Sequence, residues 1–156
     1  MNSQDSQNAA VFTVEKIYVK DLSVEVPNAP GIFLEREAPN IEVQLHTEGK
    51  GVGEAVFEVV LTVTVTAKLQ DKVVFLVEVG QAGVFQIRNV PQESMEPLLA
   101  VACPNLLFPY AREAVSDATT RAGFQPVVLQ PVNFESLYMA RQQESADAVP
   151  HEASIQ

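Results

Sequence analysis

Apolar and polar residues alternate through most of the first ninety positions, and near the start the phase of that alternation changes twice. Phe12 and Val14 fall on even positions, Ile17 and Val19 on odd ones, and Leu22, Val24 and Val26 on even ones again. A period of two marks a half-buried strand, yet one strand with both phases cannot serve a single core. The pattern predicts a strand over residues 11–26 with a bulge or break near Lys16–Lys20. Pro27 and Pro30 cannot continue the ladder. Residues 27–39 therefore form a loop, of the length that tends to be functional or disordered, and its apolar Phe33 and Leu34 speak against disorder.

Ile41, Val43 and Leu45 alternate with Glu42, Gln44 and His46 as a second strand, and the glycines at 49, 51 and 53 read as a flexible turn. The third strand is the clearest. Ala55, Phe57, Val59, Leu61, Val63, Val65 and Ala67 share one face, with Glu54, Glu58, Thr62, Thr64, Thr66 and Lys68 on the other. Gln70-Asp71 reverses the chain into a fourth strand of Val73, Phe75, Val77 and Val79, extended past a bulge near Gly80 and Gly83 to Val84–Ile87. After Pro91 the pattern turns helical. Ser94 is the expected N-cap of a short turn. A break at Cys103-Pro104 precedes a helix over residues 105–122, kinked near Pro109 and closed by Gly123. A connector, 124–132, leads to a helix capped by Asn133 that carries Phe134, Leu137 and Tyr138.

Strands first and helices after make an α+β fold. The expected architecture is a four-stranded antiparallel sheet with a long helix and a shorter C-terminal helix packed on one face. Residues 1–10 are read as a disordered polar segment, 11–142 as one domain and 143–156 as a disordered acidic tail. The uncovered sheet face must meet water or another subunit. Val56, Val60, Val74 and Leu76, placed there by parity, point to self-association.

Charge narrows the partners. With 10 basic and 20 acidic residues among 156, the net charge of -10 opposes nucleic-acid binding, which needs Lys and Arg against phosphate, and favours a basic partner. A single cysteine, Cys103, excludes an internal disulfide and suits a reducing compartment. No signal-peptide pattern opens the chain, and no apolar run nears the ~20 residues that cross a bilayer. These features predict a cytoplasmic protein without direct membrane insertion.

Candidate chemistry is sparse. His46 lies on a strand and His151 in the tail, with no partner that would make either a ligand or a base. Cys103 has no neighbouring His or Lys to activate it and reads as a small core residue. Asp21 and Glu25 lie four residues apart on one strand, ~13 Å, beyond the ~5–9.5 Å that separates a working carboxylate pair. The glycines at 49–53 lack the Ser/Thr and the following helix of a phosphate loop. No catalytic residue, metal or cofactor is expected.

Three blocks nevertheless resemble one family. Residues 20–30 read Lys-Asp-Leu-Ser-Val-Glu-Val-Pro-Asn-Ala-Pro, residues 102–113 Ala-Cys-Pro-Asn-Leu-Leu-Phe-Pro-Tyr-Ala-Arg-Glu, and residues 131–138 Pro-Val-Asn-Phe-Glu-Ser-Leu-Tyr. With Tyr18 and residues 59–67 in order between them, the chain resembles the SecB protein-export chaperones from about Val11 to Gln143. That resemblance implies a dimer of dimers, a homotetramer without cofactor or catalysis, which holds unfolded precursor proteins and delivers them to the SecA motor. It implies SecA contacts at Asp21, Glu25, Leu76 and Glu78. It implies a client groove formed by Ile32, Phe33, Ile41, Val43, Leu45, Phe134, Leu137 and Tyr138. Glu35-Arg36-Glu37 departs from the family pattern where an aromatic is expected, which leaves Phe33 to carry more of that role. The competing reading is an oligomeric adaptor for one folded partner, and for the acidic strand, a solvated edge carrying charge against aggregation.

Overall fold

The computed structural model describes residues 8–148, so parts of the expected N-terminal segment and acidic tail lie outside it. Strands β1 (Val11–Glu25), β2 (Asn40–Gly53), β3 (Val56–Leu69) and β4 (Lys72–Arg88) form one antiparallel sheet in the order β1-β4-β3-β2. Helix α1 (Gln92–Pro97) runs through a π-helical segment (Leu98–Ala102) into α2 (Cys103–Arg121), and α3 (Phe134–Ala148) follows a connector. The α+β class and the antiparallel sheet with its long and C-terminal helices are as the patterning predicts.

Strand β1 accommodates its two phase changes with two bulges, between Val14 and Lys16 and between Val19 and Asp21. Each inserts one residue and turns the alternation over. Phe12, Val14, Ile17, Val19, Leu22 and Val24 consequently pair with Ile87, Phe85, Gly83, Gln81, Val79 and Val77. Directly paired residues share a sheet face, so all six lie on the helix side. At the second bulge the buried Gln81 donates from Nε2 to the Tyr18 carbonyl at 3.1 Å.

The core lies between the sheet and α2. Val59, Leu61, Val63 and Val65 of β3 and Val77, Val79 and Phe85 of β4 meet Cys103, Leu107, Ala111 and Val115 of α2, all buried. Residues 103, 107, 111 and 115 repeat every four positions, one stripe of a helix. Gly83 makes room for that contact. A Cβ there would stand 2.8 Å from the Phe85 ring and 3.0 Å from Leu107. Gly83→Ala is therefore expected to destabilise the fold by about 1–3 kcal/mol, seen as a lowered melting temperature by circular dichroism. An unchanged temperature would remove the steric role.

Four expectations need correction. The glycines at 49 and 51 are not a turn: they pair with Val59 and Phe57, and the reversal falls at Glu54-Ala55, with Ala55 at φ 57°. β3 extends to Val56, and β2 must match its length to satisfy the ladder. The bulge on β4 lies at Val74, where pairing steps from Phe75–Ala67 to Val73–Lys68, and the strand is otherwise unbroken through Gly80 and Gly83. Val74 therefore escapes the parity argument and is buried, beside Phe75. Ser94 lies inside α1, whose N-cap position is Pro91, and no side chain caps it. The helix does not break at Cys103-Pro104. The π-helical turn just before Pro104 widens the helix where the proline ring would otherwise strike the carbonyl four residues back.

The C-terminal end follows expectation more closely. Gly123, at φ +96°, closes α2, and Asn133 caps α3 through Oδ1, which accepts from the Ser136 N–H at 3.0 Å. α3 runs on to Ala148, past the expected start of the tail.

Candidate functional site: an apolar groove and an acidic corner

Strands β1 and β2 occupy opposite edges of the sheet. The loop between them must cross the end of the sheet, three strand spacings or ~14 Å. Asn28 anchors that crossing, donating from Nδ2 to the Val73 carbonyl at 2.8 Å. Beyond it the loop winds into a 3₁₀ turn (Gly31–Leu34) that buries Ile32 in the core and leaves Phe33 half exposed.

An open groove of about 1040 Å³ lies there. One wall is the turn with Ile32 and Phe33; another is β2 with Ile41, Val43 and Leu45. Val74, Phe75 and Phe108 form its buried floor, and residues 123–132, with Leu129 buried among them, supply the remaining wall. Phe33 stacks on Phe124 with ring centroids 5.2 Å apart, and Phe124 in turn meets Phe75 at 4.9 Å. Gly123 permits the first contact: a Cβ there would lie 3.0 Å from the Phe33 ring. Phe33, Ile41 and Val43 remain 42–48% exposed, so apolar surface is open to solvent along the groove. The polar lining residues Glu35, Arg36, Glu37, Gln125 and Gln130 are all exposed, and none is a buried group that would fix one ligand in one pose.

The expected groove residues divide between two recesses. Phe134, Leu137 and Tyr138 line a smaller adjoining one with Thr47, Ala100 and Arg141, and Leu45 lies in both. Phe134 is buried edge-on against Phe108, 5.9 Å between centroids, while Tyr138 accepts a bond from Gln142 Nε2 at 2.8 Å. Sequence patterning missed the connector. Phe124, Val127, Val128 and Leu129 read as a link between prolines, although an apolar run beside Pro126 is the signal that could have marked a wall.

The opposite face of the sheet carries the charge. Glu25 pairs with Leu76, Ser23 with Glu78 and Asp21 with Gly80. Asp21, Glu25, Leu76 and Glu78 thus converge on one corner of the face without helices, with Glu78 diagonal to both other carboxylates, ~7–8 Å away between backbones. Thr64 Oγ1 donates to Glu78 Oε2 at 3.2 Å, orienting it. Gly80 leaves a bare position beside Asp21, whose Cβ would be 3.4 Å from an added methyl. Leu76 is half-buried among these charges.

On the same face, beginning at Lys20 next to Asp21, a second cluster was not foreseen. Buried Glu58 accepts from the Tyr18 hydroxyl and, at 2.7 Å, from Lys20 Nζ, while Lys50 Nζ stands 3.9 Å away. The Lys20 bond and then the Tyr18 bond hold the Glu58 carboxyl below its usual range. In turn the Glu58 bond pushes Tyr18 up to about 12. A depressed carboxyl contributes stability above its unfolded value and loses it as pH falls through the folded one, and a raised phenol loses its contribution as pH rises through its folded value. The cluster is therefore intact at neutral pH and loosens in acid and again in strong alkali.

Cys103 is fully buried, which pushes its thiol up to about 12. Among the described residues no three His, Cys, Asp or Glu side chains group to hold a metal, and no helix is long and apolar enough to cross a membrane.

Comparison with known proteins adds a context. The profile of the family described as SecB, preprotein translocase subunit SecB, matches residues 5–145. The protein-export protein SecB of Dechloromonas aromatica is 73% identical over 146 residues, covering 94% of this chain and 95% of the relative. That of Aromatoleum aromaticum is 67% identical over 142 residues, covering 90% and 88%. Among solved structures, a SecB-like chaperone of Mycobacterium tuberculosis in complex with an antitoxin peptide superimposes with a TM-score of 0.64 at 18% identity, over 78% of this chain and 90% of that one. It shares the fold.

Proposed function

Because the chain belongs to the SecB family and is an export chaperone, we propose that it holds unfolded precursor segments in the apolar groove and passes them to SecA at the acidic corner. The observation that carries this reading is the groove itself: open, about 1040 Å³, apolar at Phe33, Ile41 and Val43, and without buried polar groups to select one sequence. An unfolded client exposes apolar side chains in no fixed order. A holdase therefore gains from apolar area and loses from directional polar contacts. Burying ~200 Å² of such area is worth ~5 kcal/mol before costs, and ordering the client returns much of it. Each groove is consequently weak, and several grooves on one particle raise the effective affinity.

A homotetramer, a dimer of dimers, supplies those copies. The exposure of Val14, Val19, Leu22 and Val24 on the helix side of β1, which α2 barely covers, supports association, as does that of Leu106 and Tyr110 on α2. The acidic corner suits a basic segment of SecA, and a net charge of -10 steers such a partner, more weakly as salt rises. The setting is the cytoplasm, where precursors await export.

A refolding-delay assay with a chemically unfolded precursor, combined with mass measurement in solution, tests the reading. The expected result is retarded refolding at stoichiometric chaperone, release once the client has folded, and a tetrameric mass. A tight 1:1 complex with one native protein, and no effect on refolding, would establish the adaptor instead.

A further inference from the structure

Lys20 is the single cation in residues 17–25 and is covalently next to Asp21. The second bulge of β1 puts both on the face without helices: Asp21 by its pairing with Gly80, and Lys20 by its bond to Glu58, whose own partners Val84 and Lys50 lie on that face. A lysine stem long enough to reach Glu58 on β3 is long enough to turn back to the neighbouring carboxylate. Such an internal pair would neutralise one of the corner's charges before any partner arrived.

We propose that Glu58 is a specificity-determining residue of the acidic corner, holding Lys20 away from Asp21 so that the corner's carboxylates stay free for a basic partner. The proposal rests on reading that corner as the SecA contact. The charge layout supports it. At one end of the face the register sets Glu25, Glu78 and Asp21 together; beyond Asp21, Lys20 and Lys50 reach Glu58, while Lys16 pairs with Val84, the residue beside Glu58 on β4. One buried carboxylate, with Tyr18 as a further donor, gathers the nearby cations on the side away from the corner. Stability is a poor reason for the arrangement, because Lys20 is 45% exposed and a pair with one partner so wet contributes little. Gln81 assists by fixing the Tyr18 carbonyl at the bulge, which sets where Lys20 begins.

The test is the affinity of the full-length protein for purified SecA, by titration calorimetry at low and physiological salt, with five variants. Glu58→Gln keeps the shape of the side chain, removes its charge, and is expected to weaken binding about fivefold, most at low salt. Lys20→Ala alone leaves binding unchanged or slightly tighter. Lys20→Ala in the Glu58→Gln background restores it, whereas Lys50→Ala in the same background, an equal change of net charge, does not. Asp21→Asn weakens binding and serves as the control. If Asp21→Asn is weak and Glu58→Gln is not, the role of Glu58 is overturned and the corner stands. If Lys20→Ala fails to rescue, or Lys50→Ala rescues equally, Glu58 acts through folding or net charge and the proposal fails. Unaltered binding by Asp21→Asn would overturn the corner itself.

Discussion

Replacing Asp21 and Glu78 together by lysine is expected to lower the affinity for SecA about a hundredfold, ~2.7 kcal/mol, while leaving capture of unfolded clients intact. The two carboxylates lie on neighbouring strands in one corner, and Thr64 holds Glu78 in place. Reversal removes two attractive charges and presents two repulsive ones, and like charges across an interface cost several kcal/mol. Both positions tolerate the change: Asp21 is exposed and Glu78 half-buried on a face that no helix covers. Calorimetry over a salt series checks it. Binding by the native chain should weaken steeply with salt and residual binding by the variant should not. Parallel loss of client capture in the refolding assay would show that the two surfaces are not separate.

The second large effect is expected in the groove. Phe33→Asp combined with Val43→Asp should weaken client capture at least a hundredfold, roughly 3–4 kcal/mol, from about 1 kcal/mol of lost apolar contact at each half-exposed side chain and the cost of desolvating each carboxylate against a client. Loss of the Phe33–Phe124 stack removes about 0.5–1.5 kcal/mol of fold stability, small enough for the protein to remain folded and for its solution mass to stay the same. Tyr138→Asp, in the adjoining recess, is expected to do less, since Tyr138 lines only that smaller space. Undiminished capture by the double variant would move the client site elsewhere.

How far each surface could be read from residues alone differs for a physical reason. The acidic corner was close to legible. Strand parity puts Asp21, Ser23 and Glu25 on one face, and a regular β4 puts Leu76 and Glu78 on one face as well; only the pairing of β1 with β4 was needed to join them. The irregularity of β1 was legible too, because a change of apolar phase in a single strand has few other remedies, although one bulge was expected where there are two and the bulge of β4 was expected at the wrong end of its strand. The groove was less so. Ile41, Val43 and Phe33 stand out as apolar, but their neighbours Phe75, Phe108 and Phe124 come from a strand, a helix and a connector that no local pattern links. Val74 misled through parity, which fails at any bulge. The Glu58 cluster was invisible, since Tyr18, Lys20 and Lys50 reach it from two other strands.

By itself, then, the sequence determined which residues alternate, where β1 must shift phase, that strands precede helices, and that the protein is acidic and poor in catalytic groups. The tertiary structure alone decided the strand order. Because β1 and β2 lie at opposite edges, the Pro27–Pro39 loop has to cross the sheet end, and that crossing carries Phe33 to Phe124 and builds the groove. The same loop follows directly from the strand that bears Asp21 and Glu25 on the other face. Alternation is a property of neighbours in sequence and can be read there; which edge a strand occupies is set by pairing free energies summed over the whole sheet, and can only be seen once the chain is folded.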